Sequence, residues 1–349
     1  MTAPSLPPKR RRSRFVGAIV LLLVIAGATA ALVTTGRRTT DAPAAANADK
    51  TKSEATSTAA GSSSADDAVK SWRDVGLDRT LKADLVKKLD EAPELVVLGG
   101  SRAQRFRPER IAKITGLSAF NFAVHNCRPE DAYAISRYLY DRAPNVNLHC
   151  FFAVQATTFS DVTMQPALLY DPRFVRYFPA SLVKAQKKAN EPLKPQRVPE
   201  RNKFSARGEL LFNVYDTRSL ERVLPQYIKR MTPKAASTGE VKQTRAHKYF
   251  EKLLKLYNDH GVTPAIVIMP YHPDVLAAFR AVGWEVKQDR LKAYLAETQK
   301  KYDFVVLDYT EIESFGGNPD WFYDGAHITR ANSNLLFEQA VRDAPQCFR

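Results

Sequence analysis

Asp324-Gly325-Ala326-His327 sets a carboxylate three residues before an imidazole. In a tight loop such a carboxylate folds back onto one ring nitrogen and fixes the tautomer, leaving the other nitrogen to take a proton. A histidine near its ordinary pKa shuttles protons close to neutral pH. The proton it would take belongs to Ser101, far upstream in PELVVLGGSRAQR (residues 93–105). Ser101 follows a hydrophobic run, Leu95 to Leu98, and a Gly99-Gly100 pair at which the chain can turn tightly. Each half has a plainer reading. Serine caps helices, Asp324 can cap a turn, and His327 can cap the last helix. Taken together they make a nucleophile, a base and the group that orients the base.

For these residues to meet, the end of an early strand must reach the loop before the last helix. The chain has the pattern for it. Residues 78–91 read as a short helix, Leu95–Leu98 as a buried strand, and the segment after Ser101 as a helical turn or short helices. Ser118–Val124 is a second strand, PEDAYAISRYLYDR a helix with proline in its first turn, and Val146–Val154 a third strand. Alternation resumes with helix 241–260, strand 264–269, helices at 274–283 and 286–300, strand 304–309, a loop over 311–323 and a closing helix over 328–343. Such alternation predicts parallel α/β layering, in which ligands meet the carboxyl ends of the strands. From about 156 to 240 the pattern breaks into aromatic and proline-containing segments, with eight Lys or Arg against three Glu over 181–210. This stretch reads as an inserted cap of loops and short helices, its basic part either a solvated face or a polymer-binding groove.

The formal charge of +15 does not argue for nucleic acid, because seven of the positive charges flank one uncharged run and leave about +8 elsewhere. No zinc-finger, helix-turn-helix or RNA-binding signature accompanies them. The run itself, residues 15–35, follows five basic residues in 1–14. As a helix it would span roughly 31 Å, enough to cross a bilayer, with the basic tail kept cytoplasmic. A signal peptide cleaved after Ala28-Thr29-Ala30 and a twin-arginine signal are the competing readings. All three place the remainder outside the cytoplasmic membrane, with 36–70 a tether, order beginning near Trp72, and 71–349 the folded domain. An oxidising compartment allows one bridge between two of Cys127, Cys150 and Cys347, and sequence does not choose the pair.

The stretches VVLGGSRAQ, FNFAVHNCRPEDA and DWFYDGAHITRANSNLLFEQA give the chain a resemblance to the SGNH/GDSL serine hydrolase superfamily, and to its membrane-anchored DltD/AlgX-like branch. The resemblance covers roughly residues 93–343 apart from the central insertion. It implies a flavodoxin-like three-layer α/β/α sandwich with a mostly parallel sheet, and acyl transfer without a cofactor. Position by position, Ser101 matches the nucleophile, His327 the base and Asp324 its orienter. The family commonly has Gly-Asp-Ser or Gly-Ser-Ser where this chain has Gly99-Gly100-Ser101. The backbone amides of Ser101 and Asn126 are the oxyanion donors by position. Where the family usually has Gly-x-Asn-Asp, this chain has VQATT. Gln155 there offers an amide in place of the asparagine, or is a strand-end side chain bonded to backbone.

Arg102 and Arg105 either hold an anionic group or lie solvated on a helix surface. His125 and His272 sit at predicted strand ends, within reach of substrate, and His149 lies inside a strand as a structural residue. A zinc site from His125, His272 and Asp324 has no motif behind it, so no metal is expected. The leading functional expectation is transfer or removal of a small acyl group, acetyl or D-alanyl, on an envelope polysaccharide or teichoic-type polymer. A membrane-bound protein supplying the acyl donor is the implied partner. The alternatives are a degenerate domain that binds the polymer or scaffolds envelope proteins, and a lipase-like hydrolase.

Overall fold

Strand β1 (Leu95–Gly99) is buried along its whole length, as an unbroken apolar run requires when both faces are covered. It pairs in parallel with β2 (Ala119–Asn121) and with β3 (His149–Val154). Two short strands of the insertion, β4 (Lys203–Phe204) and β5 (Leu210–Phe212), form a separate antiparallel pair. The main sheet is completed in parallel by β6 (Ala265–Ile268) and β7 (Val305–Asp308). Its order is β2-β1-β3-β6-β7, which makes it doubly wound, with the direction of winding reversing between β1 and β3. These features come from a computed structural model that describes residues 77–160, 162–189, 203–212, 214–236 and 244–349. The expected tail (1–14), anchor (15–35) and tether (36–70), together with Trp72 and residues 190–202, lie outside the described residues. Among the described residues no helix is long and apolar enough to cross a membrane.

The helices, in chain order, are α1 (Leu77–Lys87), α2 (Pro108–Thr115), α3 (Pro129–Arg142), α4 (Pro166–Tyr170), α5 (Pro172–Val175), α6 (Ala180–Ala189), α7 (Leu220–Ala235), α8 (Arg245–Asp259), α9 (Pro273–Arg280), α10 (Glu285–Gln299) and α11 (Arg330–Asp343). Alternate strand residues face opposite ways, so β1 sends Val96 and Leu98 to one side and Leu95 and Val97 to the other. The first side is covered by α1, α3, α8 and α10. In α3 the inward residues Ala132, Ile135 and Leu139 recur at helical spacing behind Pro129 in the first turn. The second side is covered by α2 and α11, where Phe151 of β3 packs on Phe106 and Phe337 at 4.9 and 5.5 Å. Full burial of side chains of this size contributes about 1.5–3 kcal/mol each. Helices therefore cover both faces of a parallel sheet.

The segment 156–240 is divided rather than one cap. Leu168 and Leu169 of α4 and Phe174 of α5 are buried in the core beside α3, because this part of the insertion carries enough apolar surface to join it. The β4–β5 hairpin runs along the outer edge of β2, where the Asn121 amide donates to Arg207 O at 2.9 Å. Helix α7 lies against α9 through Leu224, Tyr227, Val275 and Phe279. The bridge allowed by the cysteine count is not formed: Cys127, Cys150 and Cys347 are three buried free thiols. They sit after β2, within β3 and in the C-terminal turn, and burial pushes each thiol's pKa up.

Candidate active site

Ser101 is carried past β1 by Gly99, whose φ is +143° and whose Cβ, were there one, would lie 2.8 Å from Ala153 Cβ. A side chain there would push β1 from β3. The chain then makes one 3-10 turn over Ser101–Ala103, closed by the Ala103 amide on Gly100 O at 2.9 Å. Strand register places the neighbouring candidates. Gly99 is opposite Ala153, and Gly99 O accepts from the Val124 amide at 2.9 Å. Ser101, Gln155 and Asn126 each follow one of these three residues by two positions, at the carboxyl edge of β1, β3 and β2.

The Asp324–His327 loop reaches the same edge. Asp324 Oδ1 accepts from the amides of Ala326 and His327 at 2.8 and 2.9 Å, which turns the carboxylate back toward the ring. His327 Nδ1 lies 2.9 Å from Asp324 Oδ2, and His327 Nε2 lies 2.8 Å from Ser101 Oγ. Burial alone would raise the Asp324 pKa, but the hydrogen bond and charge of His327 and the two amides outweigh it and hold it at about 2. An ionised carboxylate only accepts, so Nδ1 is the donor, and in that tautomer Nε2 turns its lone pair to the Ser101 hydroxyl. The loop is clamped by Tyr323 N on His327 O at 2.7 Å and by buried Asn332, whose amide donates to Asn318 O and Trp321 O at 2.8 and 3.0 Å. Gly325 has to be glycine here: a Cβ would come within 2.4 Å of Tyr227 and of Val275.

Arg102 is neither a solvated helix residue nor free to hold an anion. It is 6 % exposed and donates from Nε to Ala326 O at 3.0 Å, from Nη1 to Gln155 Oε1 at 2.7 Å, and from Nη2 to Pro270 O. Its guanidinium lies 4.2 Å from the Tyr271 ring centre. Arg105 is equally occupied, donating to Leu210 O and Leu211 O and to both oxygens of Asp216 at 2.6 and 2.7 Å, with Tyr323 stacked on it at 4.6 Å. It fastens the insertion beside the Ser101 turn. His272 is a buried cap on α9: its Nδ1 accepts from the Asp274 amide at 3.2 Å, and its own amide supports the Asp324–His327 loop through Gly325 O at 3.1 Å. His149 is buried with Nδ1 against Cys347 O at 3.0 Å, at the opposite end of β3. His125 and Asn126 are exposed, and Asn126 has a φ of +50°. Protein around the His125 ring lowers its pKa, Asp78 pulls against this, and the charges of Arg79 and His327 add to it. Among the described residues no group of three His, Cys, Asp or Glu could hold a metal ion, so His125, His272 and Asp324 do not form one.

A set of buried charges on α1 escaped sequence reading. β2 is an edge strand, so the outward backbone groups of the chain from Asn121 to His125 lack a neighbouring strand. The hairpin takes the Asn121 amide, and side chains of α1 bond the others. Lys82 Nζ, fully buried, donates to Asn121 O and Ala123 O at 2.9 and 2.6 Å. Arg79 donates to His125 O at 2.9 Å, and the His125 amide donates to Asp78. Arg79 also donates from Nε to Asp131 Oδ1 at 2.6 Å, and Asp131 caps α3 through the Arg128 amide. Inside β2, Asn121 joins this strand to the Ser101 turn, donating to Ala103 O and Phe106 O at 2.9 and 2.8 Å. Tyr227 against Gly325 was missed too, and the glycine between Asp324 and Ala326 was its one sequence signal. No protein-family model matches the chain and no curated protein matches it significantly, so what the site can do rests on its own atoms.

Proposed function

We propose that the chain is an extracytoplasmic serine-dependent acyl transferase or esterase acting on a cell-envelope glycopolymer. The observation that carries this reading is the unbroken relay from Ser101 Oγ to His327 Nε2 at 2.8 Å and from His327 Nδ1 to Asp324 at 2.9 Å. In that relay His327 takes the Ser101 proton as Oγ attacks an acyl carbon. The protonated ring then gives the proton to the departing alcohol oxygen, leaving an acyl-enzyme ester. Water as second substrate completes hydrolysis, and a sugar hydroxyl completes transfer, with His327 again moving the proton. The oxyanion donors are the Ser101 and Asn126 amides, with Gln155 beside them. Such donors are worth about 10²–10³ in rate each.

The sheet order agrees with a flavodoxin-like SGNH/GDSL sandwich, and the uncharged run 15–35 behind a basic tail supports a single-pass anchor with the domain outside. A membrane-tethered site favours a substrate held at the envelope, carrying acetyl or D-alanyl esters. The test is labelling of the full chain with a serine-directed phosphonate, wild type against Ser101→Ala. Labelling that vanishes in the variant supports the reading. A folded, accessible wild-type chain that takes no label at Ser101 would leave only the polymer-binding role.

A further inference from the structure

We propose that Arg102 is a positioning residue that turns the Gln155 amide so that its N–H2 group faces Ser101. This deepens the acyl-transfer reading and rests on it. Gln155 and Ser101 end adjacent paired strands, each two residues beyond the Gly99–Ala153 pair. A glutamine amide has two flips of nearly equal energy unless a neighbour chooses between them. Arg102 chooses, because a guanidinium only donates: the oxygen Oε1 must face it, at 2.7 Å, and the nitrogen must face away.

The guanidinium itself cannot turn to accommodate the other flip. Its Nε and Nη2 donate to Ala326 O and Pro270 O, and its plane is stacked on Tyr271 at 4.2 Å. Gln155 is half-buried, and no group among the described residues accepts from its Nε2. A neutral N–H2 donor so held meets negative charge developing on an acyl oxygen without having to reorganise. A lysine could supply the charge but not the fork.

The test uses the full chain with 4-nitrophenyl acetate as acyl donor and a fluorophosphonate as serine probe. Gln155→Met lowers kcat about 100-fold with KM changed less than about threefold. Gln155→Glu lowers kcat at least as far while its melting temperature holds or rises, because the carboxylate pairs with the Arg102 fork. Arg102→Lys lowers kcat about tenfold. Placed on Gln155→Met it lowers kcat no further, since both changes act on one donor. A merely structural Arg102 gives multiplying effects in the double variant instead, and that result overturns the inference. So does wild-type turnover by Gln155→Met, even with Gln155→Glu impaired, since charge rather than a lost donor would then be responsible. If Arg102→Lys does not fold, the two Gln155 variants decide. Absence of Ser101-dependent labelling in the wild type removes the acyl-transfer reading and this inference together. Labelling with both Gln155 variants unimpaired removes the inference alone.

Discussion

Two segments flank Ser101, and they gain their shapes by opposite routes. The Asp324–His327 loop is shaped from within. Its carboxylate receives amides two and three residues ahead, and Tyr323 closes it on His327 O. The segment from Asn121 to His125 is shaped from outside, by α1 side chains that lie 39 to 47 residues earlier in the chain. An edge strand has no neighbour on one side, so buried charges stand in for one. A loop held by its own residues is encoded in a short string of sequence. A loop held by distant charges is encoded wherever those charges happen to be, and it inherits their weaknesses.

The largest effect should come from breaking the self-contained loop. Asp324→Asn keeps the shape but no longer dictates which His327 nitrogen carries the proton, and kcat for 4-nitrophenyl acetate should fall about 10³–10⁴-fold. A fall of less than tenfold would mean the loop does not set the tautomer. The same change has a pH signature. Asp324 is held at about 2 against an ordinary 3.8, so its contribution to stability is full above the unfolded value and is lost as pH falls through the folded one. That contribution is about 2 kcal/mol. Urea unfolding of Asp324→Asn should lack the loss between roughly pH 4 and pH 2 that the wild type shows.

The next effect tests the externally held segment. Arg79→Leu leaves Asp131 and Asp78 buried without the cation between them, and should lower stability by about 3–5 kcal/mol in urea titrations. The Asp324–His327 loop should not notice. In the folded variant the downfield Nδ1 proton of His327 should keep its wild-type chemical shift. A shifted proton would show that the two segments are coupled and that the contrast between them is false.

Lys82 offers a gentler probe of the same face. Burial lowers its pKa from 10.5 to about 7, against the attraction of Asp78, Cys127 and Glu209. The unfolded chain therefore keeps this proton to higher pH than the folded one does, and stability rises with pH above about 7. Between pH 7 and 9 this amounts to about 2–3 kcal/mol. Lys82→Met should flatten that rise, measured as the difference in urea midpoint between the two pH values. An unchanged slope would show that Lys82 titrates like a solvated lysine.

Sequence legibility follows the same division. LVVLGGS could be read as strand, turn and serine because the apolar run and two glycines are contiguous. PEDAYAISRYLYDR could be bounded because proline marks its first turn, and α3 runs over Pro129–Arg142 as expected. DGAH was legible because its hydrogen bonds are local. The second strand was read to Val124, whereas β2 spans Ala119–Asn121, with the Phe122 and Val124 amides still donating to Val97 O and Gly99 O beyond it. Arg102 was misread because nothing local tells a solvated arginine from one aimed at three carbonyl-type oxygens on distant loops. In α1 the leucines at 81 and 85 suggest the inward face. Leu85 does pack against the core, but Leu81 is exposed, and the buried residues are Asp78, Arg79, Lys82, Ala83 and Val86. They follow helical spacing as well, but with charges where apolar side chains are expected.

That inversion yields the smallest effect and the sharpest contrast between neighbours. Leu81 is 40 % exposed and Lys82 is fully buried, one residue apart on the same helix. Glutamine has nearly the helix propensity of leucine, and Leu81 has little burial to lose. Leu81→Gln should therefore change stability by less than about 0.5 kcal/mol. A loss above about 2 kcal/mol in urea titration would mean that Leu81 packs inward after all. The charges now credited with holding Asn121 to His125 would then be solvated, and the edge of β2 would need another partner. A near-zero change beside a large pH effect at Lys82 separates the two faces of α1 within a single turn of helix.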